Sequence, residues 1–154
     1  MQLDVSMETA RELMTPDPFT LEATATVADA LALLRELDVR HLPLINDDRE
    51  VVGMLSDRDL RGLALVEPTE EWPRGRLDIL VSEVMSTDVL AVELDTPADE
   101  IIELMLEYKI GAVPVVNVER HLIGIVSYID VLRHFRPLLS SEEKDEQKDE
   151  QKEA

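Results

Sequence analysis

Apolar residues recur at helical spacing from Val27 through Ala30, Leu31, Leu33 and Leu34 to Leu37, the pattern of a helix with one buried face. Ile101, Ile102, Leu104, Met105 and Tyr108 repeat it. Thr26 and Thr96 stand as N-caps, with Asp29 and Asp99 at the third helical position and Pro97 at the first. A brief extended stretch precedes each helix, at 19–21 and 90–92, and a short amphipathic segment precedes that, Met7–Met14 and Ile79–Met85. Two apolar strands follow the first helix, at 41–45 and 51–55, joined by the polar turn Asn46-Asp47-Asp48-Arg49-Glu50. The second set is at 112–116 and 122–126, joined by 117–121. A last helix opens at Ser56 and again at Ser127. The order is β-α-β-β-α, twice, each β-α-β part predicting a right-handed parallel crossover.

The duplication is exact in length. Shifted by 71 residues, the chain lies on itself without a gap from about Glu12 to Ala64. Met14 meets Met85, Asp17 meets Asp88, Pro43 meets Pro114, Gly53 meets Gly124, Ser56 meets Ser127 and Asp59 meets Asp130. Two copies at so long a period predict a duplicated domain rather than a solenoid. The expected organisation is repeat 1 at 8–66, a linker with two prolines and a glycine at 67–77, repeat 2 at 78–136 and a charged tail at 137–154. Repeats of about 55 residues are small for independent cores. An α/β (α+β) fold is expected in which the two sheets pack on one another as one globule.

Composition narrows the chemistry. With 45% hydrophobic but only 3% aromatic residues, the core is aliphatic. The absence of cysteine excludes disulfides, thiolate metal sites and a thiol nucleophile. A net charge of −19 repels phosphate backbones, so nucleic acid is an unfavourable partner. The tail holds seven acids and three lysines, so most of the negative charge lies in the repeats. It reads as a solubility device or as salt adaptation. The three histidines, His41, His121 and His134, have no metal-ligand spacing. With no membrane-length apolar run and no signal-like start, a cytoplasmic protein is expected. Met7, Met14, Met85 and Met105 read as core or interface, and Trp72 as a staple for the linker or a partner contact.

Repeat 2 carries Ile110-Gly111-Ala112-Val113-Pro114 and then Ser127-Tyr128-Ile129-Asp130. Repeat 1 carries Val39-Arg40-His41-Leu42-Pro43 and then Ser56-Asp57-Arg58-Asp59. Over residues 8–136 this resembles the CBS (cystathionine-β-synthase) domain family, as one tandem pair or Bateman module. The resemblance implies clefts between the repeats that bind AMP, ADP, ATP or an adenosyl ligand such as S-adenosylmethionine. It implies ribose contacts from Asp59 and Asp130, and phosphate contacts from Ser56, Ser127, Arg40, His41, Arg58 and Lys109. It implies an adenine slot from Val39, Leu42, Pro43, Ile110, Gly111, Ala112, Val113 and Pro114. The chemistry is sound in itself: a carboxylate accepts from both ribose hydroxyls, and a helix N-terminus favours an anion.

Plainer roles stand beside these. Ser-x-x-Asp opening a helix is also a capping box, and two copies in register favour dual use. Pro43 and Pro114 fit sheet edges, and Gly53 and Gly124 fit turn exits or close packing. Arg58 fits a surface ion pair with Asp57 or Glu50, and His41 a solvent-facing strand position. Repeat 1 departs from the family's glycine at Arg40. Site 1 is therefore expected to gather Arg40, His41 and Arg58, and site 2 to offer only Lys109 and Ser127 to an anion. The expected function is a regulatory, energy-sensing adenine-nucleotide-binding protein. It requires no cofactor, forms a homodimer through the apolar faces of the 27–37 and 101–108 helices, and alters its own association or a partner's activity. No catalytic or metal residue set is visible, so a nucleotide transferase or hydrolase has no residues to carry it. A ligand-free oligomerisation or docking module is the alternative.

Overall fold

A computed structural model describes residues 7–64, 70 and 76–138. Most of the expected linker and nearly all of the tail, Trp72 included, lie outside the described residues. Each repeat folds in the order read from the pattern. Repeat 1 comprises α1 (Ala10–Leu13), β1 (Thr15–Pro16), β2 (Leu21–Glu22), α2 (Val27–Leu37), β3 (His41–Ile45), β4 (Val51–Ser56) and α3 (Asp57–Ala64). Repeat 2 comprises a 3-10 turn (Val81–Glu83), β5 (Val92–Glu93), α4 (Ala98–Tyr108), β6 (Ala112–Val116), β7 (Leu122–Ser127) and α5, residues 128–138. The two extended stretches lie one or two residues later than expected.

Both crossovers are parallel, β2 to β3 and β5 to β6, and both hairpins are antiparallel, in identical register. Pro43 faces Met54 and Pro114 faces Ile125. These prolines sit in central strands, not at sheet edges. Met54 exchanges its backbone bonds with Ser86, on the side away from β3. Pro43 therefore belongs to a pair without mutual hydrogen bonds, and its missing N–H falls where the short β2, which reaches only Leu44 and Ile45, has already ended.

The leading segments cross over. Ala10 and Leu13 are buried with Val92, Ile101, Val113 and Val126 in the core of repeat 2. Ile79 and Val81 are buried with Val27, Leu34, Leu42 and Leu55 in the core of repeat 1. The backbone explains the exchange. The first N–H groups of a helix lack intrahelical acceptors. At α2, Val27 and Ala28 N–H donate to the carbonyls of Ile79 and Leu77, both at 2.9 Å. At α4, Ala98 N–H donates to Glu8 O at 2.8 Å. Met14 leads into β1, which pairs with β7, and its sulfur covers Gly124; Met85 likewise covers Gly53. A Cβ at either glycine would overlap the methionine side chain, so both are close-packing points.

Capping follows the 71-residue frame. Thr26 caps α2 with Asp29 in a reciprocal box. Thr96 does not cap α4. Pro97 takes the N-cap position, and the Thr96 hydroxyl accepts from Glu93 N–H. Both long helices end on a residue with left-handed backbone, Asp38 (φ 51°) and Lys109 (φ 53°), which turns the chain into the following strand. All five residues of β6 are buried, as a strand covered on both faces requires. This is the α/β arrangement expected, two β-α-β-β-α repeats packed sheet to sheet.

Candidate functional site

Among the described residues, two clefts large enough for a small organic ligand lie between the repeats, and each draws on both. The first, 540 Å3, is lined by Ser56, Arg58 and Asp59 from the start of α3 and by Lys109, Ile110, Gly111, Ala112 and Pro114 from repeat 2. The second, 410 Å3, is lined by Ser127, Asp130 and Arg133 from α5 and its approach, and by Val39, Arg40, His41 and Leu42 from repeat 1. Both volumes suit a small organic ligand. Each Ser-x-x-Asp therefore faces the strand approach of the other repeat. Lys109 joins Ser56 and Asp59 rather than Ser127, and Val39 and Leu42 join Asp130 rather than Asp59.

Pro43 and Val113 line neither cleft. Pro43 is fully buried, and Val113 is enclosed in the core of repeat 2. Pattern alone did not mark the extended segments that complete the walls. Ser86, Asp88, Val89 and Leu90 line the first cleft, and Thr15 to Phe19 the second. The repeat frame was the available signal, because Asp17 and Asp88 coincide in it.

Both capping boxes form. Ser56 Oγ donates to Asp59 Oδ2 at 2.6 Å, and Asp59 N–H donates to Ser56 Oγ at 3.2 Å. Ser127 and Asp130 reproduce this at 2.8 and 3.2 Å. A capping box uses one carboxylate oxygen, so the other stays available to a ligand. The two acids then differ. Asp59 is exposed, and among the described residues Oδ1 has no hydrogen-bond partner. Asp130 Oδ1 accepts from Thr15 Oγ1 at 3.4 Å and lies 3.9 Å from Arg133.

The cations divide unevenly. Arg40, Arg58 and Lys109 line the first cleft and, among the described residues, form no ion pair. Asp57 is taken by Arg61 at 2.6 Å, so the ion pair considered for Arg58 belongs to Arg61. The second cleft shares Arg40 with the first and adds only Arg133, partly engaged with Asp130, beside an apolar wall of Pro16, Pro18, Phe19, Leu37 and Ile129.

His41 is not a solvent-facing strand residue. It is half-buried and lines both clefts. Burial lowers its pKa below the ordinary histidine value, with the Asp59 carboxylate opposing and the Arg40 guanidinium reinforcing the shift.

Among the described residues no group of three or more His, Cys, Asp or Glu is placed to hold a metal ion. No helix of those residues is long and apolar enough to cross a membrane.

The arrangement defines a duplicated β-α-β-β-α protein with paired inter-repeat clefts. The chain belongs to the CBS domain family, whose profile matches residues 10–65 and 81–137. Hypoxic response protein 1 of Mycobacterium tuberculosis is 30% identical over 131 residues, 83% of this chain and 85% of that protein. Inosine-5'-monophosphate dehydrogenase of Methanocaldococcus jannaschii is 27% identical over 83% of this chain, which spans only 24% of the enzyme. Among solved structures, the CBS domain pair of protein MJ0100 in complex with 5'-methylthioadenosine and S-adenosyl-L-methionine superposes with a TM-score of 0.72 at 25% identity, covering 84% of this chain and 97% of that one. CBSX2 in complex with AMP gives 0.71 at 30% identity, covering 84% and 97%.

Proposed function

We propose that this chain is a regulatory adenosyl-ligand sensor whose clefts differ in ligand charge. The observation that carries the reading is the first cleft. It combines exposed Asp59, the start of α3, and three cations that form no ion pair among the described residues, Arg58, Lys109 and the shared Arg40. That set suits a ribose beside a phosphate or polyphosphate. Ile110, Ala112 and Pro114 supply the apolar slot for adenine there.

The second cleft, with its more apolar wall and a partly engaged Asp130, suits an adenosyl ligand of lower negative charge. The AMP bound to CBSX2, and the methylthioadenosine and S-adenosylmethionine bound to the MJ0100 pair, support both ligand classes. Regulation rather than catalysis is part of the proposal. The dehydrogenase and L-aspartate semialdehyde sulfurtransferase of M. jannaschii are matched over only 24% and 23% of their lengths. Ligand would favour one relative setting of the repeats, and a second copy or a partner protein would read it.

Calorimetric titration with AMP, ADP, ATP and S-adenosylmethionine tests the reading. At one hundred times its dissociation constant a ligand adds about 2.7 kcal/mol and raises the melting temperature by about 5–10 °C. Asp59→Ala abolishes binding at the first cleft and Asp130→Ala at the second, so polyphosphate ligands lose their tighter site in the first variant and S-adenosylmethionine loses its own in the second. Absence of heat with all four ligands, on protein shown to be empty, supports the docking-module alternative. Leu106 and Leu132, exposed on α4 and α5, favour that alternative.

A further inference from the structure

Arg40, His41 and Tyr128 line both clefts and so form the partition between them. The His41 ring lies against Gly111, where a Cβ would come within 2.8 Å of Cε1 and Nε2 and 3.5 Å from the Tyr128 ring. Equivalent backbone bonds anchor the two halves: Tyr128 N–H donates to Gly111 O at 3.0 Å, and Asp57 N–H donates to Arg40 O at 2.8 Å.

The partition breaks the repeat symmetry. In the 71-residue frame Arg40 corresponds to Gly111, His41 to Ala112 and Tyr128 to Asp57. Repeat 2 has no long side chain where repeat 1 places Arg40. The exposed Arg40 thus borders both clefts, and a groove beside α2 and α3 as well, with no ion pair among the described residues to commit its guanidinium to one of them.

We infer that Arg40 is shared between the clefts and makes their anionic ligands compete, so that filling one weakens the other. This rests on the adenosyl-ligand reading above. A guanidinium forks onto one phosphate at a time. The first ligand fixes its rotamer and the second binds without it. Coupling between sites is reciprocal, so each cleft must weaken the other by the same factor.

AMP is the probe. Asp59→Ala isolates the second cleft and Asp130→Ala the first, with thermal melts confirming that each variant is folded. The second binding step of the unaltered chain is expected about tenfold weaker than binding to the same cleft in isolation. In Arg40→Gln the difference vanishes and the two steps become independent. Arg40→Gly, which copies the residue of repeat 2, does the same and guards against a folding defect in the first variant. Equal affinities in the unaltered and isolated clefts, or a difference that survives both Arg40 variants, overturn the inference while leaving the ligand reading intact. Binding confined to one cleft in every background also overturns it. If AMP binds to none of these proteins, the ligand reading fails and the sharing of Arg40 falls with it.

Discussion

Leu13 belongs to repeat 1 in sequence but is buried in the core of repeat 2, 4% exposed, beside Ala10, Ile101 and Val113. Leu13→Ala removes three buried carbons. At about 0.8 kcal/mol for each, plus the cavity left in a packed aliphatic core, the cost is about 3 kcal/mol. That equals roughly two decades of opening equilibrium. Native-state hydrogen exchange locates the damage. Amides of β6 and β7 are expected to lose about a hundredfold protection, while those of β3 and β4 keep theirs. Val81→Ala is the mirror experiment. Val81 is fully buried in the repeat 1 core, so β3 and β4 lose protection, by about tenfold or more for the smaller side chain. Loss centred on β3 and β4 in Leu13→Ala would refute the crossed packing. Equal loss everywhere in both variants would refute the division of the interior into two cores.

Gly111→Ala drives a methyl group into the His41 ring, at 2.8 Å from two ring atoms, and is expected to cost about 1–3 kcal/mol in urea unfolding. Adding His41→Ala recovers most of that loss, and a double-mutant cycle with no coupling would dismiss the contact. Ser127→Ala removes the acceptor for Asp130 N–H and lowers stability by about 1 kcal/mol, measured by the same unfolding. Acid should act in two stages. The pKa of His41 is lowered in the fold from an ordinary value of 6.5, so the unfolded chain binds more protons below that pH and stability falls as pH drops from about 6.5. His41→Gln removes this first stage. Asp29 and Glu12, whose carboxyls are lowered chiefly by hydrogen bonds from Thr26 and Thr9, act only below about pH 4.5, as their protonation withdraws those bonds.

The elements were legible because each is specified locally. An apolar stripe marks α2, a polar Asn-led turn marks each hairpin, and Ser-x-x-Asp marks the start of α3 and α5. The crossing of the leading segments has no local signature. The apolar positions of 7–14 require a buried face without naming the surface that covers it. The symmetry that exposed the repeat also hid this answer, because Met14 on Gly53 and Met14 on Gly124 satisfy the same residue pairs. Only the three-dimensional path selects the second. The misplaced Thr96 cap has a related cause: Thr96 resembles Thr26 in kind, but the frame aligns Thr26 with Pro97. The family resemblance implies an adenine slot that includes Val113, and the pattern of β6, apolar on both faces, offers no check on that position. A strand without polar alternation gives no hint of which side chains meet a cleft and which meet the core.

Where the two repeats agree, the shared residues hold the fold. Met14 and Met85 cover glycines, Pro43 and Pro114 sit beyond the reach of short parallel strands, and both Ser-Asp pairs cap helices. Where they differ at the centre, the residues face the clefts. Arg40 against Gly111, His41 against Ala112 and Asp57 against Tyr128 change little of the buried core, since all but Ala112 are exposed or only half-buried. They change which charge and shape each cleft presents. Had both repeats carried Arg40 and His41, a side chain at 111 would collide with the His41 ring. Glycine at 111 therefore leaves the His41 ring its place without a shift. The unequal residues at this position make the two clefts chemically unequal.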